Sequence, residues 1–167
     1  MNKVEELKVK VLEAQENSDI ASLYILEEEA SNILDEDTLN GFYANILDLA
    51  LERLTQTLEA HRLMDINEVQ DFATLRALYE YAIENYSANQ IVDASALFEV
   101  LSGLSNDSKF SDALKFHWIA SKENISLDEF ISNIADVEKT QASGTFYISC
   151  FTKEAQKLLN NSQNSAN

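Results

Sequence analysis

The fold is decided by residues 78–101, which read LYEYAIENYSANQIVDASALFEVL. Aromatic and small residues recur at helical spacing on both sides of the short polar segment Ser87–Asn89. We therefore predict a helical hairpin, with one helix from about Asp65 to Tyr86 and a second from about Gln90 to Leu104. The spacing leaves two interpretations open: the hairpin fills a core, or it is one unit of a repeat that holds a peptide of another protein.

The composition extends this prediction to the whole chain. Hydrophobic residues make up 46% of the 167 residues, with three glycines and no proline, whereas sandwiches and barrels need many more turn residues. Apolar residues recur every three or four positions in several other segments, so we predict an all-α bundle of about seven helices. The further helices are expected at Lys3–Glu16, from Ile20 onward, at Thr38–Arg62, at Lys109–Lys122 and, behind a capping box of Ser126 and Glu129, up to Glu138.

A chain of this length can bury one core, and we predict a single helical domain over residues 1–159. Residues 1–62 would form the N-terminal helices and residues 65–140 the central hairpins. The segment SGTFYISCF, residues 143–151, alternates and is β-branched, so it is expected to be extended and to lie along the helices, with a short helix after it. The Asn/Ser-rich residues 160–167 are expected to fray.

The charge restricts the partners. The chain has 12 Lys and Arg against 29 Asp and Glu, a net charge of −17, which disfavours nucleic acid and anionic membranes and favours cationic partners. No stretch approaches the roughly 20 apolar residues of a membrane helix, and the N-terminus has no signal-type apolar run. Cys150 is the single cysteine and can form no internal disulfide, so we expect a cytoplasmic protein without membrane insertion.

The sequence shows no catalytic or metal-binding constellation. His61 and His117 lie in no metal-ligand spacing, and both are expected at the surface or half-buried. Cys150 has no basic neighbour that would activate it, and there is no glycine-rich phosphate loop. We therefore expect a protein that is not an enzyme and that carries no cofactor and no metal.

The hairpin has the residue order of a tetratricopeptide unit, a helix–turn–helix of about 34 residues. Asn89 stands where glycine is usual at the turn, and Asn106 stands where proline often follows. A weaker echo appears about 36 residues later, with Phe98 corresponding to Ile134 and Ala82 to Trp118. The large, small and aromatic positions of the first unit fall on Leu78, Tyr81, Ala82, Tyr86, Ala94, Phe98 and Leu101.

The segments LYEYAIENY, VDASALFEVLSGL and KFSDAL, within about Leu75 to Leu114, resemble the first repeat of tetratricopeptide-type chaperones of type III secretion systems. This resemblance implies a small, acidic, cytoplasmic protein that keeps export substrates unaggregated before secretion. Flagellar export is a related system and also uses small acidic helical chaperones and cochaperones.

The resulting hypothesis is a non-enzymatic chaperone or cochaperone of type III or flagellar export, which holds an export substrate or another chaperone. An amphipathic helix or extended segment of the client would lie in a groove between helices. Two alternatives stay open: an acidic immunity protein or antitoxin that blocks a cationic toxin with Glu27, Glu28 and Glu29, or a structural subunit of a larger assembly. Self-association as a homodimer is also left open. The groove or near-groove residues are expected to be Tyr79, Tyr86, Phe98, Phe110 and Trp118, because Tyr and Trp are enriched in binding hot spots. A core position is the alternative for each of them, and above all for Phe98.

Overall fold

A computed structural model describes residues 2–165 of the chain, with side-chain burial for residues 2–162. The predicted all-α fold is confirmed, since the described residues form no β-strand and contain only isolated bridge residues, such as Ala135 and Phe151. The helices are α1 (Lys3–Glu16), α2 (Ile20–Ile25), α3 (Glu27–Ile33), α4 (Glu36–Glu59), α5 (Val69–Ser87), α6 (Ile91–Ser102), α7 (Ser108–Lys122), α8 (Leu127–Glu129), which continues as a π-helical turn (Phe130–Ile134), α9 (Val137–Ser143) and α10 (Lys153–Ser165).

The chain forms two compact units, Met1–Leu78 and Tyr79–Asn167, where the sequence predicted one domain. The division falls inside α5, a position that hydrophobic periodicity cannot mark because the helical pattern continues through it. We call these unit 1 and unit 2. At the C-terminus α10 runs to Ser165, beyond the expected start of fraying at residue 160, and residues 166 and 167 of that predicted tail lie outside the described residues.

Short polar side chains begin most of the helices. Each accepts a hydrogen bond from a backbone N–H in the first turn, which satisfies a donor that the helix itself leaves unpaired. Asn2 and Glu5 form a complete capping box at α1. The expected cap at Ser126 is present and accepts from the Glu129 N–H. The other cap residues are Asp19, Asp35, Asp107 and Asp136.

Four helices end in the same way, although none of them ends on glycine. Ser18, His61, Asn89 and Asn124 all have φ between 52° and 63°, in the left-handed region. In each case the N–H of the next residue donates to the carbonyl five positions earlier, as Gln90 does to Asn85 at 2.9 Å. Asparagine tolerates this conformation better than most residues, which explains how Asn89 replaces the glycine usual at the hairpin turn.

The two successive hairpins of this region are α5–α6 and α7–α8. The two turns align when Asn89 is matched with Asn124. In this alignment Ala82 corresponds to His117, whereas the sequence predicted that it corresponds to Trp118. The N-cap residues of the second helices, Gln90 and Ser126, keep the predicted 36-residue shift. The connection of the second hairpin is therefore one residue longer, and a single fixed shift could not align both helices.

The core of unit 1 joins α1, α2, α4 and the first part of α5. A polar network closes it at the α4–α5 connection, around the buried carboxylate of Asp71. Arg53 donates to Asp71 Oδ1 from Nε at 3.2 Å and from Nη2 at 3.0 Å, and the Asp65 N–H donates to Oδ2 at 2.9 Å. The apolar core residues of unit 1 include Leu7, Ile20, Leu23, Phe42, Ile46, Ala50 and Met64.

The core of unit 2 is aromatic and is built on α6 packed against α7. The buried face of α6 consists of Ala94, Phe98 and Leu101, whereas Val92 and Val100, which the sequence counted among its apolar residues, lie exposed on the other side. The predicted helix up to Glu138 is interrupted by the π-helical turn and by an extended Ala135. There the Asp136 N–H donates to the Cys150 carbonyl at 2.8 Å and the Thr152 N–H to the Ile134 carbonyl at 2.9 Å, so the interruption ties the segment after α9 to the helices.

Candidate functional site

Four of the five aromatic residues predicted to line a groove lie in the core of unit 2. Tyr79, Tyr86, Phe98 and Phe110 are all buried. The Tyr86 and Phe98 rings pack edge to face with their centroids 5.6 Å apart, and the Tyr86 hydroxyl donates to the Ile125 carbonyl. The structure therefore places these four side chains in the core, the alternative that the sequence left open for each of them.

Part of this burial comes from the segment 145–151 of the same chain. The Tyr147 ring stands perpendicular to Phe110 at a centroid distance of 5.0 Å, and Phe146 lies 6.1 Å from Tyr79. The Ile148 N–H donates to the Tyr79 hydroxyl at 3.0 Å. The chain itself therefore covers the surface that the sequence assigned to a client.

Trp118 keeps partial exposure, unlike the other four aromatic residues. The ammonium nitrogen of Lys122 lies 5.5 Å from the centroid of the Trp118 ring, within the range of a cation–π contact. Trp118 therefore differs from the four buried aromatic residues in its exposure to solvent. The five predicted residues do not line one open groove.

The three carboxylates of the predicted acidic patch, Glu27, Glu28 and Glu29, do not share one role. Glu27 pairs with Arg76, with Oε1 and Nη2 3.2 Å apart, so its carboxylate is already used inside unit 1. Glu28 and Glu29, on the first turn of α3, are exposed. Carboxylates at this end of a helix also interact favourably with the helix dipole, so their position has a structural reason as well.

His117 is fully buried, and its prediction as a surface or half-buried histidine is wrong. Its Nδ1 lies 2.7 Å from the Ala113 carbonyl and its Nε2 lies 2.8 Å from the Tyr79 hydroxyl. Burial lowers the pKa of His117 to about 4 and raises the pKa of Tyr79 well above its usual value, so both groups are neutral at pH 7. Among the described residues, no group of three or more His, Cys, Asp or Glu side chains is arranged to hold a metal ion.

An open apolar groove lies in unit 1, at a place that sequence reasoning missed. We call it the α2–α5 groove. It has a volume of about 430 Å³. Three of its large apolar residues are unusually exposed: Ile25 at 80%, Val69 at 65% and Phe72 at 41%. Its lining residues are Ala21, Tyr24, Ile25, Ile66, Asn67, Val69, Phe72, Ala73 and Arg76.

One wall of the α2–α5 groove is flat and charged. The guanidinium carbon of Arg76 lies 3.9 Å from the centroid of the Tyr24 ring, and the same guanidinium pairs with Glu27. Stacking and pairing together fix the orientation of Arg76 and balance its charge. The groove therefore offers an apolar floor beside a rigid polar edge, which is the usual composition of a binding site.

A second depression lies between α1 and α4, also in unit 1, with a volume of about 450 Å³. We call it the α1–α4 groove. Lys8, Leu12 and Gly41 are its exposed residues, whereas Phe42 at its floor is buried. The α2–α5 groove is the stronger candidate because three large apolar side chains converge on it in exposed positions.

Only an indirect signal for the α2–α5 groove is present in the sequence. Phe72 is 41% exposed, while Leu75 and Leu78 of the same helix are buried. Ile25 and Val69 lie at helix ends, and no periodic pattern relates two positions so far apart in the chain.

The chain matches no protein-family model, no curated protein and no solved structure. The likeness to secretion chaperones therefore stays a prediction from the sequence. Within residues 2–165, no helix combines the length and the apolar character needed to cross a bilayer.

Proposed function

We propose that this protein binds another protein through the α2–α5 groove and acts, without catalysing a reaction, as a chaperone or cochaperone in type III or flagellar export. The observation that carries the proposal is the exposure of Ile25, Val69 and Phe72 around one groove. Exposed apolar side chains that converge on a concave surface mark sites of protein association more often than scattered ones do.

The size of the exposed apolar surface suits reversible binding. Complete burial of an Ile, Val or Phe side chain contributes about 1.5–3 kcal/mol, so these three partly exposed residues together supply about 5 kcal/mol. Association costs about 4–15 kcal/mol in lost freedom of motion, so the groove needs further contacts from the partner and gives a complex that can dissociate. A chaperone that must release its client requires such a complex.

The net charge of −17 supports the same function. Like-charge repulsion keeps a protein with an exposed apolar groove from associating with its own copies, and it speeds the capture of cationic partners. The acidic character and the groove therefore act together.

A second candidate function is inhibition of a cationic toxin through the exposed carboxylates of Glu28 and Glu29. Binding by surface charges would weaken steeply with salt, because the screening length falls from about 10 Å at 0.1 M to about 3 Å at 1 M. Binding by the apolar groove would persist at high salt. Salt dependence therefore separates the two functions.

The test is affinity capture from the organism that encodes the chain, at low and high salt, with quantitative mass spectrometry. Ile25→Asp places a charge in the groove at a position that is already exposed and should not disturb the core. Val92→Asp makes the same change at an equally exposed position, 83%, on α6 in unit 2. We expect to recover an export substrate or an export chaperone. The unaltered chain should retain this partner at high salt, Val92→Asp should retain it as well, and Ile25→Asp should lose it. Recovery of a basic nuclease toxin that salt releases would contradict the proposal.

A further inference from the structure

We infer that the α2–α5 groove takes a basic amphipathic helix of the partner protein, an inference that rests on the proposed function and specifies its ligand. Three properties of the groove lead to it: helical walls without a strand edge, the line of residues along α5, and the negative sign of the unbalanced charge beside it.

The backbone around the groove offers nothing to an extended peptide. Strand addition requires an exposed sheet edge whose N–H and carbonyl groups are free to pair. Ala21–Ile25 and Val69–Arg76, which form the two sides, are helical and present no strand edge, and the N–H of Ala21 at the start of α2 donates to the Gln70 side chain. Affinity must come from side chains, which is the mode in which an amphipathic helix lays its apolar face into a groove.

The apolar residues match the geometry of such a helix. Phe72 and Ala73 lie three and four residues after Val69, and Arg76 lies four and three residues after them, so the four residues form a ridge along α5. Ile25 stands across from this ridge on α2. A partner helix with large apolar residues three and four positions apart can pack against both sides.

The charge that stays unbalanced beside the groove is negative. Glu27 and Arg76 neutralise each other, and the Glu68 carboxylate lies 3.4 Å from Arg53 Nη2. Glu28 follows Glu27 on the first turn of α3 and is exposed. An acidic helix would meet repulsion from Glu28 and from the net charge of −17, whereas Lys and Arg beside the apolar face of the partner would be attracted.

The test uses two synthetic helical peptides that share one apolar face of Leu and Phe and carry either Lys/Arg or Glu on the polar face. Their binding to the full chain is measured by fluorescence anisotropy at low and moderate salt. We expect the Lys/Arg peptide to bind at least about 10-fold more tightly than the Glu peptide. Ile25→Asp should weaken its binding about 10-fold or more, and Val92→Asp less than about twofold.

A second pair of variants separates local from overall charge. Glu28→Lys should weaken binding of the Lys/Arg peptide about fivefold. Glu99→Lys makes the same change in net charge at an exposed site on α6. Its effect on the logarithm of Kd should be less than about half of the effect of Glu28→Lys.

The outcomes separate this inference from the proposed function. Equal binding of both peptides, with loss in Ile25→Asp, would overturn the basic helix and leave the groove as a protein-binding site. Binding of neither peptide, or binding that Ile25→Asp does not alter, would overturn both the basic helix and the groove. If Glu28→Lys and Glu99→Lys weaken binding equally, the net charge of the chain would determine the affinity for the Lys/Arg peptide. This result would overturn the local charge complementarity at the groove.

Discussion

The Tyr79 hydroxyl and the His117 ring form a hydrogen bond of 2.8 Å in the core of unit 2. A carbonyl can only accept, so His117 Nδ1 carries the proton that is donated to Ala113, and Nε2 accepts from Tyr79. The Tyr79 oxygen in turn accepts from the Ile148 N–H. One buried hydroxyl therefore connects α5, α7 and the segment 145–151, and all three polar groups are satisfied.

Tyr79→Phe should destabilise the protein by about 1–3 kcal/mol. The change removes the hydroxyl and leaves His117 Nε2 and the Ile148 N–H buried without a partner, and the cost of such groups exceeds that of the lost bond itself. Urea unfolding followed by circular dichroism measures the change. Tyr81→Phe is the matched control, because no hydrogen bond of the Tyr81 hydroxyl is found among the described residues; an equal loss in both variants would contradict the role of the Tyr79 hydroxyl.

Stability should fall as the pH decreases from about 6.5 towards 4. Burial lowers the pKa of His117 to about 4, against 6.5 for the free group, so in this window the unfolded chain binds a proton that the folded protein does not. The contribution is complete above pH 6.5 and the full loss is about 3 kcal/mol. Urea unfolding between pH 7 and pH 5 measures the part of this loss that falls in that range, about 2 kcal/mol.

The control for the pH experiment is a pair of histidine variants. His117→Gln should flatten the pH dependence between pH 7 and pH 5, whereas His61→Gln, at an exposed site, should leave it unchanged. The pKa values of Asp19 and Asp35 lie below their usual range because each accepts hydrogen bonds at a helix start, so the stability that these carboxylates contribute is lost only below about pH 4. An unchanged slope in His117→Gln would assign the effect to another group.

The sequence could predict what depends on local periodicity. The helices at Lys3–Glu16, Lys109–Lys122 and both helices of the α5–α6 hairpin appear within a few residues of their expected bounds. Burial could be predicted less well. Helical spacing identifies an apolar residue such as Phe98, but whether it faces a core or a partner depends on which segment covers it, and here residues 145–151 were not recognised as the cover.

The α2–α5 groove could not be predicted for a related reason. Its sides are far apart in sequence, and their approach depends on how the α4–α5 connection is held by Asp71 and Arg53. Neither residue carries a periodic signal, and an Arg–Asp pair separated by a turn is common in acidic helical chains. Tertiary geometry of this kind is visible only in the folded structure.

At the first hairpin turn, Asn89→Val should be less stable than Asn89→Gly by about 1–2 kcal/mol. Asn89 has a φ of 63°, where a β-branched side chain clashes with the backbone and glycine does not. Thermal unfolding of the two variants measures the difference. The same two substitutions at the neighbouring Ala88, whose φ is not positive, should not favour glycine in this way; an equal preference there would contradict the conformational explanation.

Asp71→Asn should lower stability by about 2–3 kcal/mol and should also weaken peptide binding at the α2–α5 groove. Asp71 is buried and accepts from Arg53 and from the Asp65 N–H, and the connection that it holds carries the groove residues Ile66 and Asn67. The estimate is below that for a fully buried pair because Arg53 is partly exposed. Asp48→Asn, an exposed change on α4, is the control, and normal peptide binding by a folded Asp71→Asn protein would contradict this coupling.

The most direct test of the account is to map the binding surface of the whole chain by amide NMR while the Lys/Arg peptide is added to the ¹⁵N-labelled protein. The account predicts that the shift changes concentrate on Ala21–Ile25 and Ile66–Arg76, the two sides of the α2–α5 groove. Changes that concentrate on the α1–α4 groove or on the segment 145–151, or a spectrum that does not change at all, would contradict it.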